Sequence, residues 1–174
     1  KNALDWSFGG MYSFYDGDHY GKLHWIKHNQ NIAEDYEWYR NVGKKGEFNF
    51  FTKAEYQFTR QLSLFGDIQY RHINYRFTGI DDDLMELTGV FNYNFFNPKA
   101  GIFYRTDNRN SLYASVAVGQ REPLRTDLKE SVKGGGGEDR IRPEKMFDYE
   151  LGYRFSNENG LNLGANLYYM DYKD

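Results

Sequence analysis

Cysteine is missing altogether from the 174 residues, and proline occurs only three times. The first absence excludes disulfides, thiolate zinc sites and thiol nucleophiles. No stretch approaches the ~18 consecutive apolar residues of a membrane-spanning helix, and the mean hydropathy is -0.84. That value leaves room for one kind of membrane protein, a β-barrel, in which only alternate residues face lipid. The formal net charge is -3, without the basic excess of a general nucleic-acid binder. No signal-like segment is present, and the chain opens on sequence that already looks like a strand, which points to a piece of a longer protein. A Gly-Xaa-Ser-Xaa-Gly elbow is also lacking, so no enzyme is expected.

What the chain has instead is aromatic residues and alternation. Aromatics make up 19% of the sequence, with 16 tyrosines and 14 phenylalanines. Phe147, Tyr149, Leu151, Tyr153 and Phe155 share one parity against Asp148, Glu150, Gly152 and Arg154. Leu161, Leu163, Ala165, Leu167 and Tyr169 repeat the pattern after the polar linker Ser156–Gly160. Two-residue alternation of this kind gives an antiparallel hairpin with one apolar face.

The same reading places a first strand of about ten residues from Leu4, ending at the turn-like Asp16-Gly17-Asp18. A long polar segment, 16–45, follows. A second strand is expected over Phe48–Phe58 and a third from Leu62, whose apolar parity slips after Arg71-His72. A bulge, or the strand leaving its apolar surroundings, would account for the slip. The fourth strand, from Phe91 to Tyr104, is expected to break near Phe96-Asn97-Pro98, because proline cannot donate to a ladder. The fifth covers Leu112–Gly119. From Gln120 to Arg142 the chain is charged, with four glycines at Gly134–Gly137, expected to be a mobile loop or a loop shortened by a linker. No helix is predicted.

Connections alternate strictly, long after strands one, three and five, short after two, four and six. Together with a polar second face and aromatics at strand ends, this gives the fold class: all-β, an antiparallel transmembrane β-barrel segment of about seven strands with long extracellular loops and short periplasmic turns. A soluble β-barrel or sandwich binding module is the rival reading.

Ligand-binding candidates lie at the extracellular end. Tyr36, Trp38, Tyr39 and Arg40 are read in one loop, and Arg121, Glu122 and Arg125 where another opens. Rings provide contact area, and guanidinium groups bond carboxylate or phosphate in pairs. His19, His24 and His28, with Asp16 and Asp18, match no metal-ligand signature, and Asp81-Asp82-Asp83 lacks the glycine and terminal glutamate of a calcium loop. No metal or cofactor is expected. Asp148 and Glu150 share a face, where they are expected to bond cations or backbone.

At Pro143-Glu144-Lys145-Met146-Phe147-Asp148-Tyr149-Glu150-Leu151-Gly152 the sequence resembles the barrel of TonB-dependent outer-membrane receptors, particularly those of Bacteroidetes. Tyr15–Gly21, Leu62–Arg71, Phe95–Gly101, Ser111–Ser115 and Gly119–Pro123 resemble it as well, in order along nearly the whole chain. The resemblance implies a barrel of about 22 strands around an N-terminal plug. It implies a Gram-negative outer-membrane location and uptake of a scarce nutrient energised by the TonB complex, which acts through the plug. The nutrient would be an iron-siderophore, haem, a cobalamin or a glycan. Residues 1–174 then correspond to a middle part of the barrel, lacking the plug and the other strands. The partners implied are outer-membrane lipid, TonB, the ligand and, as a further candidate, a surface lipoprotein; nucleic acid is not among them. A passive porin is the alternative transport reading.

Overall fold

The computed structural model describes residues 3–28, 31–135 and 141–173. Among these are seven strands: β1 (Leu4–Leu23), β2 (Tyr36–Gln57), β3 (Leu62–Gly79), β4 (Gly89–Arg105), β5 (Asn110–Arg121), β6 (Glu144–Ser156) and β7 (Asn162–Lys173). One helix, α1 (Arg125–Lys133), lies between β5 and β6. The strands form a single sheet in chain order, each antiparallel to the next. Residues 58–61, 106–109 and 157–161 turn the chain at one end, while 24–35, 80–88 and 122–143 connect it at the other. The long-short rhythm read from the sequence is therefore realised in space.

Register sorts the residues into two faces. One transverse row runs Trp6, Ala54, Gly66, Ala100, Val116, Tyr149, Tyr169, each opposite the next. This face is an apolar belt left open: Trp6, Phe8, Phe50, Ile68, Ile102, Val116, Leu151 and Leu167 are between 40% and 72% exposed. Contiguous apolar surface on this scale marks contact with lipid or protein. The row next to it points to the other side and reads Ser7, Lys53, Asp67, Lys99, Ala117, Asp148, Met170. Charges of opposite sign thus face one another across β2, β3 and β4 on the inner side. Aromatic rings there cover cross-strand glycines, as Phe65 covers Gly101 and Tyr113 covers Gly152. A Cβ added at Gly152 would lie 1.9 Å from the Tyr113 ring, so the ring packs flat only against a residue without a side chain.

Three expectations need correction, and one choice left open, that of β3, is decided. β1 does not end at Asp16-Gly17-Asp18 but continues to Leu23, and β2 begins at Tyr36. The turn-like residues are held in the ladder by their partners: Asp16 lies 3.1 Å from Lys44, and Asp18 2.7 Å from Arg40. Cross-strand pairing overrides the local preference. β3 has no bulge, since its register is unbroken with both neighbours. Its parity slips because the surroundings change sides: Ile73, Tyr75 and Phe77 are buried on the inner face. β4 does not break at Pro98, which stays opposite Ile68 of β3; only the β5 side is affected, where pairing starts at Lys99 and Ala117. Finally, α1 occupies part of the charged connection read as loop. Gly134 and Gly135 follow it directly, whereas Gly136 and Gly137 lie outside the described residues.

Candidate functional site

The buried core sits at the long-loop end of the inner face. Ile73, Tyr75 and Phe77 of β3, Leu87 of the 80–88 connection, Phe91, Tyr93 and Phe95 of β4, and Leu128 of α1 compose it, with Val132 of α1 packed against them. Signals for α1 are present in the sequence. Pro123 precedes it, Leu124, Leu128 and Val132 recur every four residues, Asp127 is in the first turn and Lys133 in the last. These charges suit the helix dipole, and the four-residue spacing lines up one face. Burying Leu128 contributes about 1.5–3 kcal/mol to docking.

Polar contacts complete the docking. The Arg125 guanidinium donates from Nη1 to the Tyr75 hydroxyl and from Nη2 to Asn41 Oδ1 at 2.7 Å. Asn41, itself 1% exposed, donates to the Ile80 carbonyl at 3.2 Å and to Asp81 Oδ1 at 3.3 Å. The Asp81 carboxylate, also 1% exposed, takes Lys129 at 2.7 Å and Lys133 at 2.6 Å, and Lys133 reaches Asp83 at 2.6 Å. The helix is thereby clamped to β2, β3 and the 80–88 connection.

Burial works to raise the pKa of Asp81, but the two lysines outweigh it and hold the carboxyl below its ordinary range. Lys133 and the Met85 amide do the same for Asp83. For a depressed carboxylate, the stabilisation is complete above the unfolded-state value and is lost as pH falls through the folded one. We therefore expect a nitroxide on Thr126→Cys to be immobile from neutral pH down to about 5, and to gain mobility only below about 4. Mobility rising between pH 7 and 5 would contradict this.

Beside α1 lies a cavity of about 460 Å³. Tyr15, His19, Lys45, Tyr75 and Tyr93 line it from the sheet, and Arg121, Glu122 and Arg125 from the connection to α1. Glu122 bonds Lys45 at 2.6 Å and lies 3.5 Å from Arg71, which itself holds Glu47 at 2.9 Å. Burial pushes the Glu122 carboxyl up, yet the Lys45 hydrogen bond and the nearby cationic charge bring it below its usual value. His19 is held below the usual histidine range by burial first and then by Arg125 and Lys129. It is therefore neutral near pH 7. The cavity accordingly combines three phenol rings with guanidinium, ammonium and carboxylate groups.

Of the seven candidates read from the sequence, the structure brings together Arg121, Glu122 and Arg125. The other four stand at the top of β2 rather than in a loop, and none lines this cavity. Arg40 bonds Glu37 and Asp18 and lies 4.8 Å from the centre of the Tyr20 ring. Trp38 donates its indole N–H to the Asp82 carbonyl at 2.9 Å. Tyr39 covers Gly21, and the Tyr36 amide bonds the Ala33 carbonyl. Tyr15, His19, Lys45, Tyr75 and Tyr93 were missed. The signal that finds them is the odd parity of the inner face, followed past the point where the apolar side changes.

The histidines do not assemble: His24 pairs with Asp35 at 2.6 Å and His19 meets the Tyr15 hydroxyl at 3.2 Å. Among the described residues the only group with metal-like spacing is Asp81, Asp82 and Asp83. Two of those carboxylates already hold lysines. On the inner wall Glu150 accepts the Tyr113 hydroxyl at 2.6 Å.

A family model described as "TonB dependent receptor-like, beta-barrel" matches residues 1–174. No curated protein matches the chain. Among solved structures, the ferric-catecholate import receptor Fiu of E. coli K12 in its closed form is similar, with a TM-score of 0.70 and 16% identity over 97% of this chain. The ferric yersiniabactin uptake receptor FyuA of Yersinia pestis gives 0.70 and 15% over 99%. The unliganded ferric citrate transporter FecA gives 0.71 and 13% over 99%. At these identities the likeness is one of fold. The chain spans 28%, 26% and 25% of those three proteins.

Proposed function

We propose, since this chain belongs to the TonB-dependent receptor-like β-barrel family, that it forms part of the wall and mouth of a receptor for TonB-energised uptake across the Gram-negative outer membrane. On this reading the apolar belt faces lipid, further strands continue the sheet beyond β1 and β7, and the long-loop end is extracellular. The observation that carries it is the cavity by α1, open at the long-loop end of the inner face, where a ligand arriving from outside would first meet the barrel wall. Arg121, Glu122 and Arg125 would contact the ligand, with Tyr15, Tyr75 and Tyr93 as the apolar floor. A ferric chelate is the ligand we favour over haem, a cobalamin or a glycan, because the three similar receptors described above are named for import of a ferric catecholate, ferric yersiniabactin and ferric citrate.

The experiment uses the full-length receptor in cells and in purified form. Ferric citrate and a ferric tricatecholate are the probes, with and without TonB. Uptake of one probe should require TonB. Arg121→Ala should weaken its binding about tenfold, the loss of about 1.4 kcal/mol from one charge-assisted contact, at an unchanged outer-membrane level. Uptake that persists without TonB would favour a passive porin instead. Binding untouched by Arg121→Ala and by Glu122→Gln would remove the cavity from the pathway.

A further inference from the structure

The sheet forks between β4 and β5. Their ladder runs from Arg105 and Ser111 to Lys99 and Ala117 and stops at Pro98, which has no N–H to give. Both strands nevertheless continue: β4 stays paired with β3 up to Gly89, and β5 with β6 up to Arg121. Carrying the register onward would set Phe96 opposite Gln120. A side chain bridges that position instead, Gln120 Nε2 donating to the Phe96 carbonyl at 2.9 Å.

α1 follows β5 in the chain, on one side of this fork, yet its docking contacts are on the other. Leu128 enters the cluster built by β3 and β4, Arg125 bonds Tyr75 of β3 and Asn41 of β2, and Lys129 and Lys133 hold Asp81 beyond β3. Gly89 permits the closest approach, since a Cβ there would lie 2.9 Å from Val132 Cγ2.

We propose that α1 is a latch across this fork. It holds the upper halves of β4 and β5 together with side chains where the backbone ladder is missing. Undocking costs no ladder hydrogen bonds, so the seam can part as a unit while Lys99–Arg105 and Ser111–Ala117 remain paired and act as the hinge. Parting uncovers Phe77, Phe91 and Phe95 and widens the mouth. This assignment rests on the fold alone and stands whichever ligand the receptor takes.

The test is hydrogen exchange, read by mass spectrometry on the full-length receptor in lipid nanodiscs. Peptides covering 89–97 and 118–133 should exchange together, and faster than those covering 99–105 and 110–117. Leu128→Ala should accelerate the first set by about tenfold or more and leave the second unchanged. Gly89→Cys with Val132→Cys provides the opposite arm, its oxidised form read only against its own reduced form because a Cβ at position 89 also meets the Phe91 ring at 2.8 Å. A Cβ at Gly89 would lie 2.9 Å from Val132 Cγ2, close enough for the two positions to be bridged by a disulfide, and residues 1–174 hold no other cysteine. Oxidation should slow the first set to the rate of the second, and reduction should restore it. Should Leu128→Ala fail to assemble, the oxidised and reduced forms of the cysteine pair decide the matter alone. Equal protection of both sets before any change, or no response to oxidation, overturns the latch.

Discussion

Replacing Asp81 by alanine should release α1 from the barrel wall at a cost of about 3–5 kcal/mol in docking. The carboxylate is 1% exposed and holds two ammonium groups, with the Asn41 amide as a third donor. Removing it leaves Lys129 and Lys133 beside one another, one turn apart on the same helix, with their shared counter-charge gone. Like charges at that spacing repel, and the Lys133 side chain is only 10% exposed. Lys129, at 21%, can turn toward solvent more readily, which sets the expected value toward the lower end. Asp81→Asn keeps an acceptor for Asn41 but not the charge and should fall between. Denaturant titration of the purified receptor, followed by the Thr126 nitroxide, measures the docking step separately from unfolding of the sheet. A shift below about 1 kcal/mol, the range of exposed pairs, would mean that the ion pairs are ordinary surface contacts.

The second large effect concerns the belt. Ile68 stands in its upper half, one outward position below Tyr70, opposite Thr52 on one side and Pro98 on the other. Ile68→Arg should destabilise the barrel by about 2 kcal/mol in vesicles, the penalty for a cation on the lipid face a few ångströms above mid-bilayer depth. Its chain neighbour Gln69 points inward and bonds the Asn97 amide at 3.2 Å. Gln69→Arg should cost far less, because the inner face is polar. Urea unfolding of the full receptor folded into vesicles compares the two. Equal costs would show that parity does not divide lipid from lumen.

The hairpin of β6 and β7 was legible almost residue by residue, because there one face is apolar from end to end. The expected arms, Phe147–Phe155 and Leu161–Tyr169, lie within the observed Glu144–Ser156 and Asn162–Lys173 apart from Leu161. Legibility failed where the surroundings of a face change along a strand. In β3 the apolar side passes from even to odd positions, and no local pattern says whether the backbone or its environment has altered. In β1 the Asp16-Gly17-Asp18 triplet looks like a turn until Lys44 and Arg40 are known to lie across from it. The helix was hidden because only Leu128 and Val132 of its nine residues are large and apolar, too few to stand out among charges. The cavity was half legible: Arg121, Glu122 and Arg125 belong to a continuous segment, whereas the wall residues come from four separate strands and meet only through register.

The change of parity in β3 also works as a waterline. From Leu62 to Tyr70 the outward positions are apolar, and at about 3.3 Å per residue and a tilt of about 40° this is a height of roughly 20 Å, close to the apolar thickness a barrel presents to its bilayer. From His72 upward the outward side chains are Asn74, Arg76 and Thr78, and His72 and Asn74 bond Asn94 and Asn92 of β4. The protein therefore carries its own draught mark, and the freeboard clear of the hydrocarbon takes more than half of β2, nearly half of β3 and about a third of β4. Lengthening the apolar run by two residues would seat the wall deeper without altering the mouth, so immersion depth and the surface of the mouth can vary independently.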